Sequence, residues 1–578
     1  MNSRSKRKQQ DEIDYHQYLV DTLASWNITS FTGVTGGGVI HFLKHLKPLR
    51  GKETGKPEFM TFAEYSAGFV PLGYYLASGK IAGSVATTGA ATKLLSCGLT
   101  DAKMHDIPAV YIVPISGKNT EGLSPLQDTS RYGVNIVEQL RDELPDSVFF
   151  LDYESKLSEK FSLAKAQLDN SKPVVFVLDN EVMNVPFHEP KIFPKNKSHM
   201  IEDNRFDSFV TDFREVTKDK RLVIVVGEEM ARYPEAKKLT TELCTQLKAP
   251  AVWTINGANA VGRDNPYGYG YISFGGNDKS MSLYNSIGKK DVLLVLGACP
   301  DEYTVALNKF KASSTFYLSN ITQAYGTING TMQHMAEGEY YQVHGPLDLL
   351  LKTLINAAKE KPFKNKQVKP APEDLNDKPF DKPRKGYVDM AAFYQKIDKW
   401  WPAGSVGIDD VCLSYKDRQY VTQRPNDNIN FYSLYRGSAM GGAFGTAVGA
   451  KLAKPDNNVF VFTGDGCFRL FAGSLGEVCD LGLVMFVLNN ETLSIVEQGL
   501  EIVLPDVLKE NYHAWLRSID YCGIAKACGW DAEKLKPDMS NLDSILKKID
   551  KGLKHSLLIE IPVDPFQFLG SNPRLKNL

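Results

Sequence analysis

Apolar residues along this chain gather into short unbroken runs, each closed by glycine or a small polar cluster and followed by a helical repeat. The clearest case lies between Val459 and Ile495. Val459 to Phe462 is β-branched and aromatic and reads as a strand buried on both faces. The chain then breaks at Gly464-Asp465-Gly466, and a helical pattern follows through Phe468, Leu470, Phe471, Leu475 and Val478. A second apolar strand, Leu483 to Leu488, stops at Asn489-Asn490. This predicts one β-α-β unit with polar groups only at the carboxyl ends of its strands, the edge at which open α/β sheets bind ligands.

The same rhythm covers most of the chain. A helical pattern from Tyr15 leads into a short strand at Ser30-Phe31, a glycine turn from Gly33 to Gly38 and a helix through Val39, Phe42, Leu43 and Leu46. Phe62 to Gly68 opens a helix that runs through Tyr75. Gly83 to Thr87 reads as a strand, followed by Thr88-Gly89-Ala90-Ala91 and a helix to Met104. Asp106-Ile107-Pro108 introduces the strand Ala109 to Pro114, and the helix Ser158 to Leu168 and strand Val174 to Leu178 complete the series. A doubly wound parallel sheet is thus expected over residues 12–190. Residues 191–203 are polar and read as a linker. Strands at Leu222 to Val226, Ala251 to Thr254, Val292 to Leu296 and Thr315 to Leu318, with the helix Ala236 to Leu247, predict a Rossmann-like domain over 204–357. Residues 358–386, rich in Lys, Pro and Asp, read as a second linker along the surface. The domain from 387 to 578 begins with the helix Met390 to Trp400 and the strand Val406 to Asp409, and includes the small-residue helix Ala443 to Ala453. The fold class is α/β, with three doubly wound parallel-sheet domains.

The polar groups at the strand ends point to one kind of chemistry. Asp465 offers a hard carboxylate and Asn490 a carbonyl oxygen, a donor set suited to Mg²⁺, which keeps water and bridges to substrate phosphates. Gly464 and Gly466 let the backbone approach a phosphate, and N–H groups opening a helix near Phe468 favour an anion. A Gly-Asp-Gly alone is also simply a tight turn; followed by a helix and Asn-Asn at the next strand end, it carries more. Together these residues resemble the thiamine diphosphate motif of the acetohydroxyacid synthase and pyruvate decarboxylase superfamily. The resemblance implies that Asp465, Asn490 and the backbone carbonyl of Thr492 bind Mg²⁺, and that the three domains are pyrimidine-binding, central and diphosphate-binding in that order.

Further positions follow from the resemblance. Glu64, with Ala67-Gly68, Gly73-Tyr74, Thr87 to Thr92 and Asp106-x-Pro108 in order, matches the glutamate that hydrogen-bonds the cofactor's aminopyrimidine. A carboxylic acid beside a ring nitrogen favours the imino tautomer that activates the thiazolium carbon. Read locally, Glu64 is also a first-turn carboxylate offsetting a helix dipole. Met440, in Arg436-Gly437-Ser438-Ala439-Met440-Gly441-Gly442, matches the apolar residue that props the cofactor in a bent shape, and the Ser438 carbonyl then holds its amino group. Gln127 matches a glutamine of the synthases' Phe-Gln-Glu segment; it is equally a polar loop residue. Thr88-Gly89-Ala90 replaces the common Gly-Pro-Gly, and Gly499-Leu500 lacks the synthases' tryptophan, so the substrate need not be pyruvate. Cys299-Pro300-Asp301-Glu302-Tyr303 lacks the arginine of flavin-binding relatives, so FAD is not expected.

Composition narrows the class. The net charge is −1 over 578 residues, with 23% charged residues, which gives no reason to expect nucleic acid as a partner. No apolar run is long enough for a membrane span. The eight cysteines form no Cys-x-x-Cys pair and read as reduced thiols of a cytoplasmic enzyme. The start, MNSRSKRKQQDE, lacks the apolar core of a signal peptide and reads as a short disordered tail. No histidine stands between Ile115 and Ser130, where pyruvate decarboxylases carry a His-His pair. The expected activity is acetolactate synthase-like decarboxylation and carboligation of 2-oxo acids by a homodimer or homotetramer. The alternatives are a non-ligating decarboxylase or C–C lyase, or an inactive relative that keeps the cofactor.

Overall fold

The computed structural model describes residues 14–51, 55–152, 157–184 and 204–577. The tail and the 191–203 linker read from the sequence lie outside these residues. The chain divides near residue 198 into two compact units. The first holds one sheet and the second holds two, and every strand pairing in all three is parallel.

The first sheet has seven strands: β1 Ser30–Gly33, β2 Lys47–Pro48, β3 Glu58–Thr61, β4 Gly83–Val85, β5 Val110–Pro114, β6 Val148–Leu151 and β7 Val174–Leu178, in the order β2-β3-β1-β4-β5-β7-β6. Sequence pattern missed β2, β3 and β6. They lie toward the sheet margins, are short, and carry half-exposed positions, so no apolar run marks them. The helix expected after the glycine turn is one turn only, Ile40–Leu43, because the chain must re-extend into β2 at Pro48.

The second sheet comprises β8 Arg221–Val226, β9 Ala251–Trp253, β10 Gly268–Tyr271, β11 Asp291–Leu296, β12 Ser314–Ser319 and β13 Glu339–His344, in the order β10-β9-β8-β11-β12-β13. Its central strands β8, β11 and β12 are buried on both faces, whereas the edge strand β13 is largely exposed. Leu222, Ile224 and Val226 pack into one core while Val223 and Val225 pack into another, which is why the strands read as unbroken apolar runs.

The third sheet comprises β14 Ser405–Asp409, β15 Ile429–Ser433, β16 Val459–Gly464, β17 Val484–Asn489, β18 Asp531–Lys534 and β19 Leu557–Pro562, in the order β15-β14-β16-β17-β19-β18. The pattern from Phe468 to Val478 is not one helix. A single turn, Asp465–Phe468, gives way to 3₁₀ turns at Ala472–Ser474 and Gly476–Val478. Gly473 and Gly476 weaken the helix, and Phe471 turns aside to stack on Phe444.

Within the second unit the two sheets are joined by specific polar contacts. Asn256 donates from Nδ2 to the Ser433 carbonyl and accepts from the Ser433 N–H, at 2.9 Å each. Asn259 does the same with Phe431, at 2.8 and 3.1 Å. Two side-chain amides thus satisfy the outer backbone groups of β15. Arg436 of the third domain pairs with Glu228 and, at 2.7 Å, with Asp301. The segment read as a surface linker is held down. The preceding helix extends to Glu360, and beyond it Lys366 donates to the Lys220 carbonyl, Ala371 to that of Pro266, and Arg384 pairs with Asp564 at 2.7 Å. Its polarity reflects a surface course; its backbone bonds fix that course. No helix among the described residues is long and apolar enough to cross a membrane, and the eight cysteines are free thiols.

Asn256 and Asn259 generate a direct expectation. Asn256→Ala leaves a buried donor and acceptor of Ser433 unpaired and lowers stability by roughly 2–4 kcal/mol in urea unfolding, while exposed Asn428→Ala costs under about 1 kcal/mol.

Candidate functional site

The carboxyl ends of β16 and β17 deliver two loops to one place. Asp465, at the end of β16, is 2% exposed. Its carboxylate accepts from the N–H of Gly466 at 2.9 Å and from the N–H of Glu491 at 2.7 Å. The second bond requires the loop after β17 to turn back sharply, and Glu491 does so with a left-handed φ of 58°. Asn490, just before it, donates to Ser494 Oγ at 2.5 Å and accepts from the Thr492 N–H at 3.2 Å. Thr492 Oγ1 in turn donates to the buried carboxylate of Glu497 at 2.9 Å. One chain of hydrogen bonds therefore sets Asp465, Asn490 and Thr492 around a cavity of about 290 Å³.

Burial pushes the Asp465 carboxyl up to about 6, with the N–H groups of Glu491 and Gly466 acting in the opposite direction. No cationic side chain is bonded to this carboxylate among the described residues. Glu497 adds a second buried acid, one oxygen of which has no hydrogen-bond partner. The donor set of a buried carboxylate, an amide oxygen and a backbone carbonyl fits a small hard cation that also binds phosphate. Among the described residues no group of three or more His, Cys, Asp and Glu is placed to hold a metal. A cation sharing its shell with a diphosphate needs no such group.

Gly466 leaves room for neighbouring side chains. A Cβ there would lie 2.8 Å from Leu493 Cδ2 and 3.4 Å from Met440 Cε. Met440 therefore rests near the Gly-Asp-Gly turn and lines the same cavity. Ser438 lies on the same cavity with a left-handed φ of 51°, its hydroxyl bonded to the Tyr435 carbonyl at 2.8 Å. Near Phe468 the helix is a single turn, Asp465–Phe468; the ten-residue helix Ser494–Val503 also opens onto the cavity, its first residues lining it.

Sequence reasoning passed over Asp410. This fully buried carboxylate follows β14 and accepts from the Gly441 N–H at 2.9 Å and from Thr463 Oγ1 at 2.8 Å. It ties the Met440 turn to the strand that carries Asp465. The paired acids at the end of a predicted strand, Asp409-Asp410, were the available signal. Residues Val411 to Leu413 and Arg574 also line the cavity and were not singled out.

In the first unit Glu64 is the opening residue of the helix Glu64–Ser78, half-buried between the buried Phe62 and Phe69. That helix is fixed by a close crossing, since a Cβ at Gly98 would sit 2.1 Å from the Gly68 carbonyl oxygen. Gly36 and Gly38 abut Thr87 and Thr88, so the loops after β1 and β4 meet at the edge where Glu64 follows β3. Gln127 is exposed, with a φ of 60°, its Cβ beside Gly89.

Known proteins are similar to this chain along its length. Residues 13–134 match the thiamine pyrophosphate enzyme N-terminal TPP binding domain, residues 214–333 the central domain, and residues 413–561 the C-terminal TPP binding domain. The chain belongs to the thiamine pyrophosphate enzyme superfamily. It is 24% identical over 503 residues to the acetolactate synthase isozyme 2 large subunit of Escherichia coli, covering 86% of each chain. It is 22% identical over 588 residues to a probable acetolactate synthase large subunit of Methanocaldococcus jannaschii, covering 97% of this chain and 94% of that one. Its fold is similar to that of the Rhodococcus jostii RHA1 thiamine diphosphate-dependent 4-hydroxybenzoylformate decarboxylase, with a TM-score of 0.74 at 16% identity, covering 96% of this chain and 99% of the other. The protein is thus a thiamine diphosphate-dependent enzyme with three parallel-sheet α/β domains.

Burial raises the Asp465 carboxyl to about 6, so a cation held there would compete with a proton: if Mg²⁺ binds at Asp465, its affinity measured calorimetrically with thiamine diphosphate present is expected to fall, by up to roughly tenfold per pH unit, below about pH 6. Asp465→Asn weakens Mg²⁺ binding and flattens this slope; an unchanged slope in that variant contradicts the assignment.

Proposed function

We propose that the enzyme binds thiamine diphosphate with Mg²⁺ and joins two carbonyl compounds after decarboxylating a 2-oxo acid, in the manner of acetolactate synthases. The observation that carries the cofactor assignment is the hydrogen-bonded grouping of Asp465, Asn490 and Thr492 beside Met440 on one cavity. Asp465, Asn490 and the Thr492 carbonyl would hold the cation. The start of the helix Ser494–Val503 favours the diphosphate. Met440 would support the cofactor, and the carbonyl of Ser438, whose backbone is left-handed, would accept from its amino group. Thiamine diphosphate, when bound, supplies a nucleophilic carbon that adds to a carbonyl and takes up the electron pair released with CO₂. Glu64 holds a proton at the pyrimidine ring nitrogen, and Gln127 faces the substrate.

Carboligation over simple aldehyde release is favoured by similarity to acetolactate synthases along nearly the whole chain and by the absence of histidine from 115–130. A non-ligating decarboxylase is the second reading, favoured by the decarboxylase whose fold is similar. No flavin is proposed. At the middle sheet, the crevice between β8 and β11 is the place where a doubly wound sheet receives a dinucleotide. There the carboxylate of Glu229, 4% exposed, accepts from the Asn320 N–H at 2.6 Å and from Ser319 Oγ at 2.5 Å. A carboxylate on these donors repels a second anion.

A homodimer or homotetramer in the cytoplasm is part of the proposal. Leu470, Val496, Leu504 and Trp515, near the cofactor loops, are exposed apolar groups that a second copy would cover.

Two outcomes test the reading. Incubated with thiamine diphosphate, Mg²⁺ and a panel of 2-oxo acids, the enzyme releases CO₂ and forms a product with a new C–C bond; aldehyde alone selects the second reading, and no turnover with bound cofactor removes both. Glu64→Gln retains the cofactor and loses C2 proton exchange. Mixed after refolding with Asp465→Asn, it regains roughly a quarter of wild-type activity if each subunit's glutamate serves its partner.

A further inference from the structure

The larger cavity of the second unit is not the one that holds Asp465. It measures about 560 Å³, within the range that receives a drug-sized ligand. Its walls are the helix Asp278–Asn285, Leu293 of β11, the segment Val305 to Lys311 and the C-terminal residues Ser571 to Asn577. Tyr284, Leu293 and Phe310 give it an apolar body. Two cations stand at its edge. Phe310 is buried and bridges to Ala336 in extended backbone, so Lys309 and Lys311 on either side project together, away from the core. Both lysines are exposed, and neither side chain is paired with any described residue.

The backbone here is unusual. Ser273, Ala306 and Leu307 are left-handed, with φ of 59°, 49° and 58°, and all three lie at or beside this cavity. Non-glycine residues in that region persist where surroundings hold them and cluster at ligand clamps.

The same two segments also wall the cofactor cavity. Asn572, Pro573 and Asn577 face the larger cavity, whereas Arg574 between them lines the cofactor cavity. Val305 and Ala306 face the larger cavity, whereas Tyr303 lines the other. Asn577 donates to the Ala306 carbonyl at 3.1 Å, Arg574 pairs with Glu302 at 3.2 Å, and the Gly275 N–H donates to the Ser571 carbonyl at 3.0 Å.

We propose that the larger cavity is a binding site for a small organic anion with an apolar body, and that its occupancy alters the cofactor cavity through residues 302–306 and 571–577. The binding part stands on the cavity alone; the coupling part rests on the cofactor reading given above.

The probe is 8-anilinonaphthalene-1-sulfonate, an aromatic body with one sulfonate, titrated by fluorescence into the full-length enzyme and located by crystallography. One site per chain is expected in this cavity. The double variant Lys309→Glu, Lys311→Glu weakens it at least about tenfold, whereas Lys289→Glu, Lys290→Glu, the same charge change nearby, leaves it within about twofold. Saturating thiamine diphosphate and Mg²⁺ shift probe affinity by about threefold or more, and the probe shifts thiamine diphosphate affinity by the same factor, as linkage requires. Equal losses in the two lysine variants, or a probe seated elsewhere, overturn the site. Two ligands that bind without reciprocal shifts overturn the coupling. Probe binding that depends on Lys309 and Lys311 while thiamine diphosphate does not bind at all supports the site and defeats the cofactor reading instead.

Discussion

A carboxylate buried at the end of a parallel strand is the constraint on which the site depends. Asp465 is removed from water, given two backbone N–H groups and, among the described residues, bonded to no cationic side chain, Arg469 acting on it only from a distance. Burial raises such a carboxyl, to about 6 here, and positive charge brought to it favours its ionised form. The surrounding design follows from that. β16 is apolar until its last residues, so the carboxylate appears only at the sheet edge. Glu491 takes a left-handed conformation to bring its N–H there, and Asn490 and Thr492 come with it. Gly466 omits a side chain so that Leu493 and Met440 can close over the turn. Asp410 then fixes the Met440 loop to the strand beside it through Gly441 and Thr463. The pocket is therefore built by backbone geometry, and the side chains on it have little freedom to drift.

The middle domain contributes stiffness to this arrangement. Arg436, near the start of the Met440 loop, is buried between Glu228 and Asp301 of the middle domain. Burial of so many charges is tolerated because each has a partner with hydrogen-bond geometry. Phe274, Tyr303, Tyr415 and Tyr435 stack behind them, with Phe274 and Tyr303 at 4.3 Å between ring centroids. The loop that carries Ser438 and Met440 is thereby anchored from a second domain, which accounts for the strained conformation of Ser438 persisting.

Much of this was readable in the residues. Strands buried on both faces, such as β8, β11, β16 and β17, announce themselves as apolar runs, and the polar groups that follow them mark the site. Asp465 and Asn490 were legible because each terminates such a run. Asp410 was less so: its role depends on donors at Gly441 and Thr463, residues that no local pattern links to it. The broken helix after Asp465 was misread because Phe468, Leu470 and Phe471 have helical spacing, although the glycines and the aromatic stacking of Phe471 decide otherwise. The segment after Glu360 looked like a loose tether because its side chains are polar, yet what fixes it is main-chain bonding to Lys220 and Pro266, which composition does not encode. Small marginal strands such as Lys47–Pro48 carry no signal of their own.

The two middle-domain asparagines that bond β15, Asn256 and Asn259, carry a consequence for how the two domains depend on each other. A strand at a sheet margin offers a ladder of donors and acceptors on which another chain can grow, and proteins must blunt such margins to stay in solution. Here the blunting is lent by a neighbour rather than built into β15 itself. A shortened descendant that discarded the middle domain would uncover that ladder and acquire a tendency to assemble edge to edge. Whatever else the middle domain has lost or gained, its removal is barred by the stickiness of what it shields.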